Sequence, residues 1–371
     1  MRVLRLFPAI AAVIALLCTS SSASAQIYTS DLNLELLWSQ ARRQPEDFAV
    51  ACVPLYNPIE SVIYNGDEPF PLASVGKLVT YVEYARQVDA GRISLGEVVS
   101  TPVLDLYALP RTDGGAHQRY MASFEEEVRS LSLWEVASEG MMGYSSNAAS
   151  DYLLARLESV NWNAFYTDLN MHQTTPPHPL NMVPVMMSNH ETGRLELDDV
   201  QSPTLQADGE AFFLRYIQDE QWRADEIEYR NQRRRGFPEW EVQQYILQNH
   251  TMTGTVRDFV FLMSAIYDDN GPLTENVKQL TRDALLWTDF ENIDLTYEEY
   301  GSKLGFYSGG TLTLVAYGDP YNSDPVISVV FFRNIPRWNY WDMLRDDQLG
   351  DFAHWMNLNT CAGLRERLDA L

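Results

Sequence analysis

The chain is poor in cysteine, histidine and basic residues. Its 371 residues include 3 cysteines and 6 histidines, and 51 acidic side chains outnumber 27 basic ones. Cys18, Cys52 and Cys361 form no C-x-x-C pair, which removes the usual zinc and dithiol signatures. His172, His178 and His190 share one segment, but their spacings match no common metal site, so they read as loop histidines and no metal is expected. A formal charge of −24 repels nucleic acid and anionic membranes. The basic run Arg233-Arg234-Arg235 sits among acids and reads as a solvated turn. No Gly-rich phosphate loop, repeat or low-complexity tract occurs, and no cofactor is expected.

The first residues are basic at Arg2 and Arg5, apolar from Phe7 to Leu17, and small at Ala23-Ser24-Ala25. That pattern predicts a signal peptide over residues 1–25, cut before Gln26, and a periplasmic or secreted mature chain. No other stretch is apolar and long enough to span a bilayer. The expected mature protein is a monomer with no membrane span. Cys52 and Cys361 remain after cleavage. An exported compartment permits a disulfide between them, and two buried thiols fit the sequence equally well.

Residues 30–44 carry a partial apolar helical face through Leu32, Leu34, Leu37 and Ala41. Phe48–Tyr56 and Glu60–Tyr64 read as a strand pair broken at Asn57-Pro58. A helix is predicted from Ser74 to Asp89, then helical pieces over 124–159, split near Gly140–Ser145. Thr253–Asp268 and Thr274–Leu286 read as two more helices. Tyr300–Phe306, Thr311–Tyr317 and Val326–Phe332 change to strand character, and Asp351–Leu371 reads as a closing helix. Strands at both ends with helices between predict an α+β fold. Its sheet has five antiparallel strands, flanked by terminal helices, with a helical lobe inserted. The α/β lobe is expected over 26–73 and 290–371, and the helical lobe over 74–289.

Three short segments can carry chemistry. In Phe70-Pro71-Leu72-Ala73-Ser74-Val75-Gly76-Lys77, Ser74 and Lys77 stand three apart and share a helix face. A serine hydroxyl needs a nearby base, and a lysine serves when burial or another cation lowers its pKa. Free N–H groups at a helix start can hold an oxyanion. In Tyr144-Ser145-Ser146-Asn147, a second hydroxyl can relay a proton and an amide can hold a carbonyl. In Lys303-Leu304-Gly305, a cation on a strand edge can bind a carboxylate, and glycine admits close backbone approach. Each alone is weak. The aromatic tail around Trp338, Tyr340 and Trp341 could line a site, with packing the favoured reading.

Taken in order, S-x-x-K, S-x-N and K-x-G at a helix start, an interhelical loop and a late strand resemble the signature of class A beta-lactamases and penicillin-binding proteins. GRISLGEVV, MMGYSSNAASDYLLARL and TGTVRDFVFLMSAIYDDNGPLTENVKQL are similar to further stretches of that family, so the likeness spans roughly 30–165 and 250–370. The resemblance implies a serine hydrolase with Ser74 acylated, Lys77 relaying its proton and Ser145 passing one to the leaving nitrogen. It also implies substrate contacts from Asn147, Lys303, Gly305 and the backbone N–H of Phe306, which would share the oxyanion hole with the N–H of Ser74. The implied substrate is a small beta-lactam or a peptidoglycan peptide. Two departures stand out. Leu304 replaces the usual hydroxyl residue, which predicts weakened binding of a substrate carboxylate. No E-x-x-x-N occurs over 160–200, and Glu191 and Glu196 lack the asparagine, which predicts slow deacylation. Residues 186–250 exceed the family's usual length and read as an insertion.

Overall fold

The computed structural model describes residues 34–124, 129–232, 236–286, 293–359 and 361–371. The leader over 1–25 and the Arg233–Arg235 cluster lie outside the described residues. A five-stranded antiparallel sheet organises the chain. Its strands are β1 (Phe48–Pro54), β2 (Val62–Tyr64), β3 (Tyr297–Tyr307), β4 (Thr311–Pro320) and β5 (Val326–Phe332), in the order β2-β1-β5-β4-β3. Both ends of the chain therefore supply strands, as the change of period predicts.

Side chains alternate across a strand, and this sheet is apolar on both faces. Phe48, Val50 and Cys52 of β1 join Leu312, Leu314 and Ala316 of β4 on one face. There they pack against Leu37, Trp38 and Ala41 of the Glu35–Arg43 helix and Phe352, Ala353 and Met356 of the Gln348–Leu358 helix. Ala49, Ala51 and Val53 turn the other way with Val315 and Tyr317, onto the Val256–Tyr267 helix and the helical lobe. Continuous apolar strands such as Val326–Phe332 are what a sheet covered on both faces requires.

Several boundaries differ from the sequence expectation. The closing helix expected over Asp351–Leu371 is split into Gln348–Leu358 and Ala362–Leu368, and a separate helix, Arg337–Arg345, precedes them. The last break falls at Cys361, whose φ of 66° is left-handed and ends the helical path. Cys361 is bonded to Cys52 across 309 residues of chain. The segment before the second motif is not continuously helical. Ser130–Ser132 forms a strand paired with Val98–Ser100, because Ser-Leu-Ser presents only Leu131 to the core. Thr255 and Thr274 cap the two late helices with their side chains, which fixes both starts.

The insertion is ordered into three helices, Leu205–Gln218, Glu220–Asn231 and Trp240–His250. They close over Met182–Met187 and form an apolar core of their own, with Phe213, Tyr216, Trp222 and Ile246 inside. A buried ionic cluster also holds it. Glu226, fully buried, accepts from Arg230 at 2.7 Å, from the His190 N–H at 2.8 Å and pairs with the His190 ring at 2.9 Å. Among the described residues no helix is long and apolar enough to cross a membrane.

Candidate active site

Ser74 sits on a 3-10 turn, Ala73–Gly76, that feeds the Lys77–Asp89 helix. The expected helix thus starts three residues later than Ser74. The path into this turn is pinned from both sides. The Leu72 N–H donates to Met252 O at 3.0 Å, and the Thr313 hydroxyl donates to Leu72 O at 2.8 Å. Ala73 is left in a left-handed conformation at φ 48°, a strained state for a residue with a Cβ. Strain held immediately before the serine marks a backbone whose shape is over-determined by its neighbours.

Lys303 and Gly305 face this turn because β3 alternates. Lys303 lies opposite Val315 and Gly305 opposite Thr313, the strand positions that turn toward the helical lobe. Leu304 lies opposite Leu314 and packs on the other face. Leu304 is not among the cleft's lining residues. Gly305 is required by contact. A Cβ there would lie 2.8 Å from the Ser74 nitrogen, 2.8 Å from Leu72 O and 2.5 Å from the Thr313 hydroxyl. Phe306 follows at the mouth of the cleft, 37% exposed.

The second motif arrives through a wide turn. Glu135–Gly143 is a π-helix, a form often found at functional sites, and Ser145 follows it at φ 64°. Ser146 then caps the Asn147–Arg156 helix by accepting from the Ala149 N–H. Lys77 Nζ donates to Ser145 O at 2.5 Å, to Asn147 Oδ1 at 2.9 Å and to Ser145 Oγ at 3.2 Å. Lys303 Nζ reaches the same Ser145 hydroxyl at 2.8 Å. Two buried amines thus converge on one hydroxyl. A hydroxyl that accepts from both keeps its own proton free to donate elsewhere. The Ser74 hydroxyl itself makes no hydrogen bond among the described residues, and Lys77 points to Ser145 and Asn147 instead of to it.

Burial pushes the Lys77 amine well below its ordinary range, and the Lys303 charge pushes it further, against the pull of Asp113 and Asp151. Burial also brings Lys303 down to about 7. Holding both ammoniums side by side out of water is unfavourable, so the pair gives up a proton more readily than free lysines do. A neutral amine is the state a base needs.

Three supporting groups were not legible as motifs. Asp113 accepts from the N–H groups of Ala116, His117 and Asn147 and so ties the cleft wall to the second motif. The buried His117 ring bridges the Ser146 hydroxyl, at 3.0 Å, and Asp105, at 2.9 Å. Asp151 accepts from the N–H groups of Leu180 at 2.6 Å and Asn181 at 3.0 Å, anchoring the loop that precedes the insertion. Burial raises its carboxyl to about 7 against those bonds. Groups that act by accepting backbone N–H bonds leave no spacing pattern, so only the fold identifies them.

The cleft has a volume of about 370 Å³. Asp113 is its one acidic lining residue, and Arg111 and Arg119 line it as cations. No carboxylate contacts the Ser74 hydroxyl among the described residues. The loop over 172–182 holds no glutamate but carries the half-buried His178, whose Nε2 accepts from the Met252 N–H at 2.6 Å. His190 belongs to the Glu226 cluster, and no group of metal-binding residues forms among the described residues. Tyr340 is packed in the core and Trp341 is 46% exposed, and both line the cleft, so the packing expectation for the aromatic tail holds only in part.

An antiparallel sheet, a helical lobe and a serine turn beside a Lys–Ser–Lys cluster define a serine-hydrolase type of architecture. The sequence model of the beta-lactamase enzyme family matches residues 41–335, and the chain belongs to that family. Among solved structures, the class A beta-lactamase of the last common ancestor of Gram-negative bacteria is similar at 17% identity and a TM-score of 0.51. That match covers 88% of this chain and 98% of that one. A beta-lactamase from Sphaerobacter thermophilus is similar at 15% identity and a TM-score of 0.51, covering 87% of this chain and 97% of the other. At such identities these likenesses concern the fold. No curated protein sequence matches the chain.

Proposed function

We propose that this chain is an exported serine hydrolase that forms an acyl-enzyme on Ser74, acting on beta-lactams, D-alanyl peptides or related amides and esters. The observation that carries the reading is the pair of buried amines, Lys77 and Lys303, sharing the Ser145 hydroxyl beside Ser74. In the proposed step, Ser74 Oγ attacks the carbonyl carbon and neutral Lys77 takes its proton. The N–H groups of Ser74 and Phe306 hold the developing oxyanion. Ser145 then gives its proton to the leaving nitrogen as the C–N bond breaks, and the Lys77 ammonium replaces that proton across the 3.2 Å contact. Asn147 orients the substrate amide. Arg111 and Arg119 offer the charge for a substrate carboxylate. The Cys52–Cys361 disulfide suits an oxidising, exported compartment, and the chain is taken to act as a monomer.

A second reading has its own support. Among the described residues no carboxylate contacts Ser74, so an attacking water has no carboxylate base beside the acyl group. The protein would then be acylated and stall, serving as a sensor or binding module. Intact-mass measurement after incubation with a penicillin and with an activated ester tests both readings. A transient adduct with product release supports the hydrolase, and a lasting adduct supports the stalled form. No adduct and no turnover, with Ser74→Ala indistinguishable from the parent, would overturn both.

A further inference from the structure

Beyond the three motifs, the cleft is walled by residues that none of them supplies. Val183, Pro184 and Met187 come from the helix before the insertion, and Phe237 comes from within it. Trp341 and Leu344 come from the Arg337–Arg345 helix near the C-terminus. These six side chains are apolar, and they belong to the same cavity as Ser74. The wall is fixed: Val183 and Met187 are buried in the insertion's own core. Trp341 remains 46% exposed and Phe306 37% exposed, so large apolar surface stands open at the mouth. A cavity of about 370 Å³ falls in the range that holds a small organic molecule. This part of the cavity suits an apolar group, while Arg111, Asp113 and Arg119 line the same cavity as charged residues.

We infer that this cavity is a specificity pocket, and that the chain selects esters or amides carrying an apolar group of several carbons close to the reacting carbonyl. The inference rests on the proposed role of Ser74 and adds the substrate class. Water around such a group is released when it enters the pocket, and each buried methylene then raises kcat/KM by up to about fourfold.

The test is a chain-length series. p-Nitrophenyl acetate, butyrate, hexanoate and octanoate vary the acyl side, and methyl, butyl and hexyl esters of one acid vary the leaving side. The expected result is a steep rise in kcat/KM along at least one series. Met187→Asp and Leu344→Asp should flatten that rise, with melting curves showing that the variants fold. Measurable turnover that is flat along both series overturns the inference while leaving Ser74 as nucleophile. A binding arm uses Ser74→Ala with octanamide and acetamide, followed by calorimetry. Preferential binding of octanamide supports the pocket even if no ester is turned over, in which case the nucleophile reading fails alone. Equal or absent binding of both amides, together with no turnover, overturns both.

Discussion

The two sides of the cleft are built on different terms. One side is polar and comes from four segments far apart in the chain, around Ser74, Asp113, Ser145 and Lys303. The other is apolar and comes from the insertion and the Arg337–Arg345 helix. The polar side needs particular atoms within about 3 Å of each other, so its residue types and spacings are constrained. The apolar side needs only surface of the right shape, which many side chains supply. Chemistry is thus concentrated in a few residues, while substrate choice is spread over several elements and can change without touching the nucleophile.

Substitutions can break that division. The largest effect is expected from Lys77→Met, which removes the proposed base. The acylation rate, followed by intact mass over time, should fall by ~10²–10⁴-fold. A fall of less than tenfold would remove Lys77 from the mechanism. Gly305→Ala should come next. Its Cβ would press on the Ser74 nitrogen and on Leu72 O, so the oxyanion donor shifts. A loss of about 10²-fold in acylation is expected, with overpacking costing about 1–3 kcal/mol in a denaturant melt.

On the other side of the comparison, Glu226→Gln strikes the insertion far from the motifs. It leaves Arg230 as a buried cation without its counter-charge, and such losses cost about 3–5 kcal/mol. Hydrogen exchange should show weakened protection over the insertion's helices, with little change in acylation by a small acetyl ester. Equal loss of acylation would show that the two sides cannot be separated.

A smaller effect concerns pH. The charge on Lys303 lowers the Lys77 pKa. Removing it in Lys303→Met lets that pKa rise, so a neutral base appears only at higher pH. The ascending limb of the acylation rate against pH should therefore move toward alkaline values. A limb that moves toward acid, or stays put, would contradict the coupling between the two amines.

Much of the polar side was legible in the sequence. Ser74, Lys77, Ser145, Asn147 and Lys303 stand in motifs, and strand alternation carries Lys303 and Gly305 to the cleft. Leu304, the alternate position between them, packs against the other face of the sheet. The sheet was legible because apolar strands leave a clear pattern, and the break at Cys361 was not, because a left-handed cysteine has no local signal. Asp113, His117 and Asp151 stayed hidden because their partners are backbone groups or residues distant in the chain. The helices of the insertion gave no such pattern, since they bury their apolar faces against one another and not against the main core.

The central claim is that Ser74 is the residue that becomes acylated. Peptide mapping by mass spectrometry, after brief incubation with a penicillin and with p-nitrophenyl octanoate, tests it most directly. The account predicts an acyl mass increment on the peptide containing Ser74, absent in Ser74→Ala. An increment on Ser145, on a lysine, or on any other peptide would contradict it.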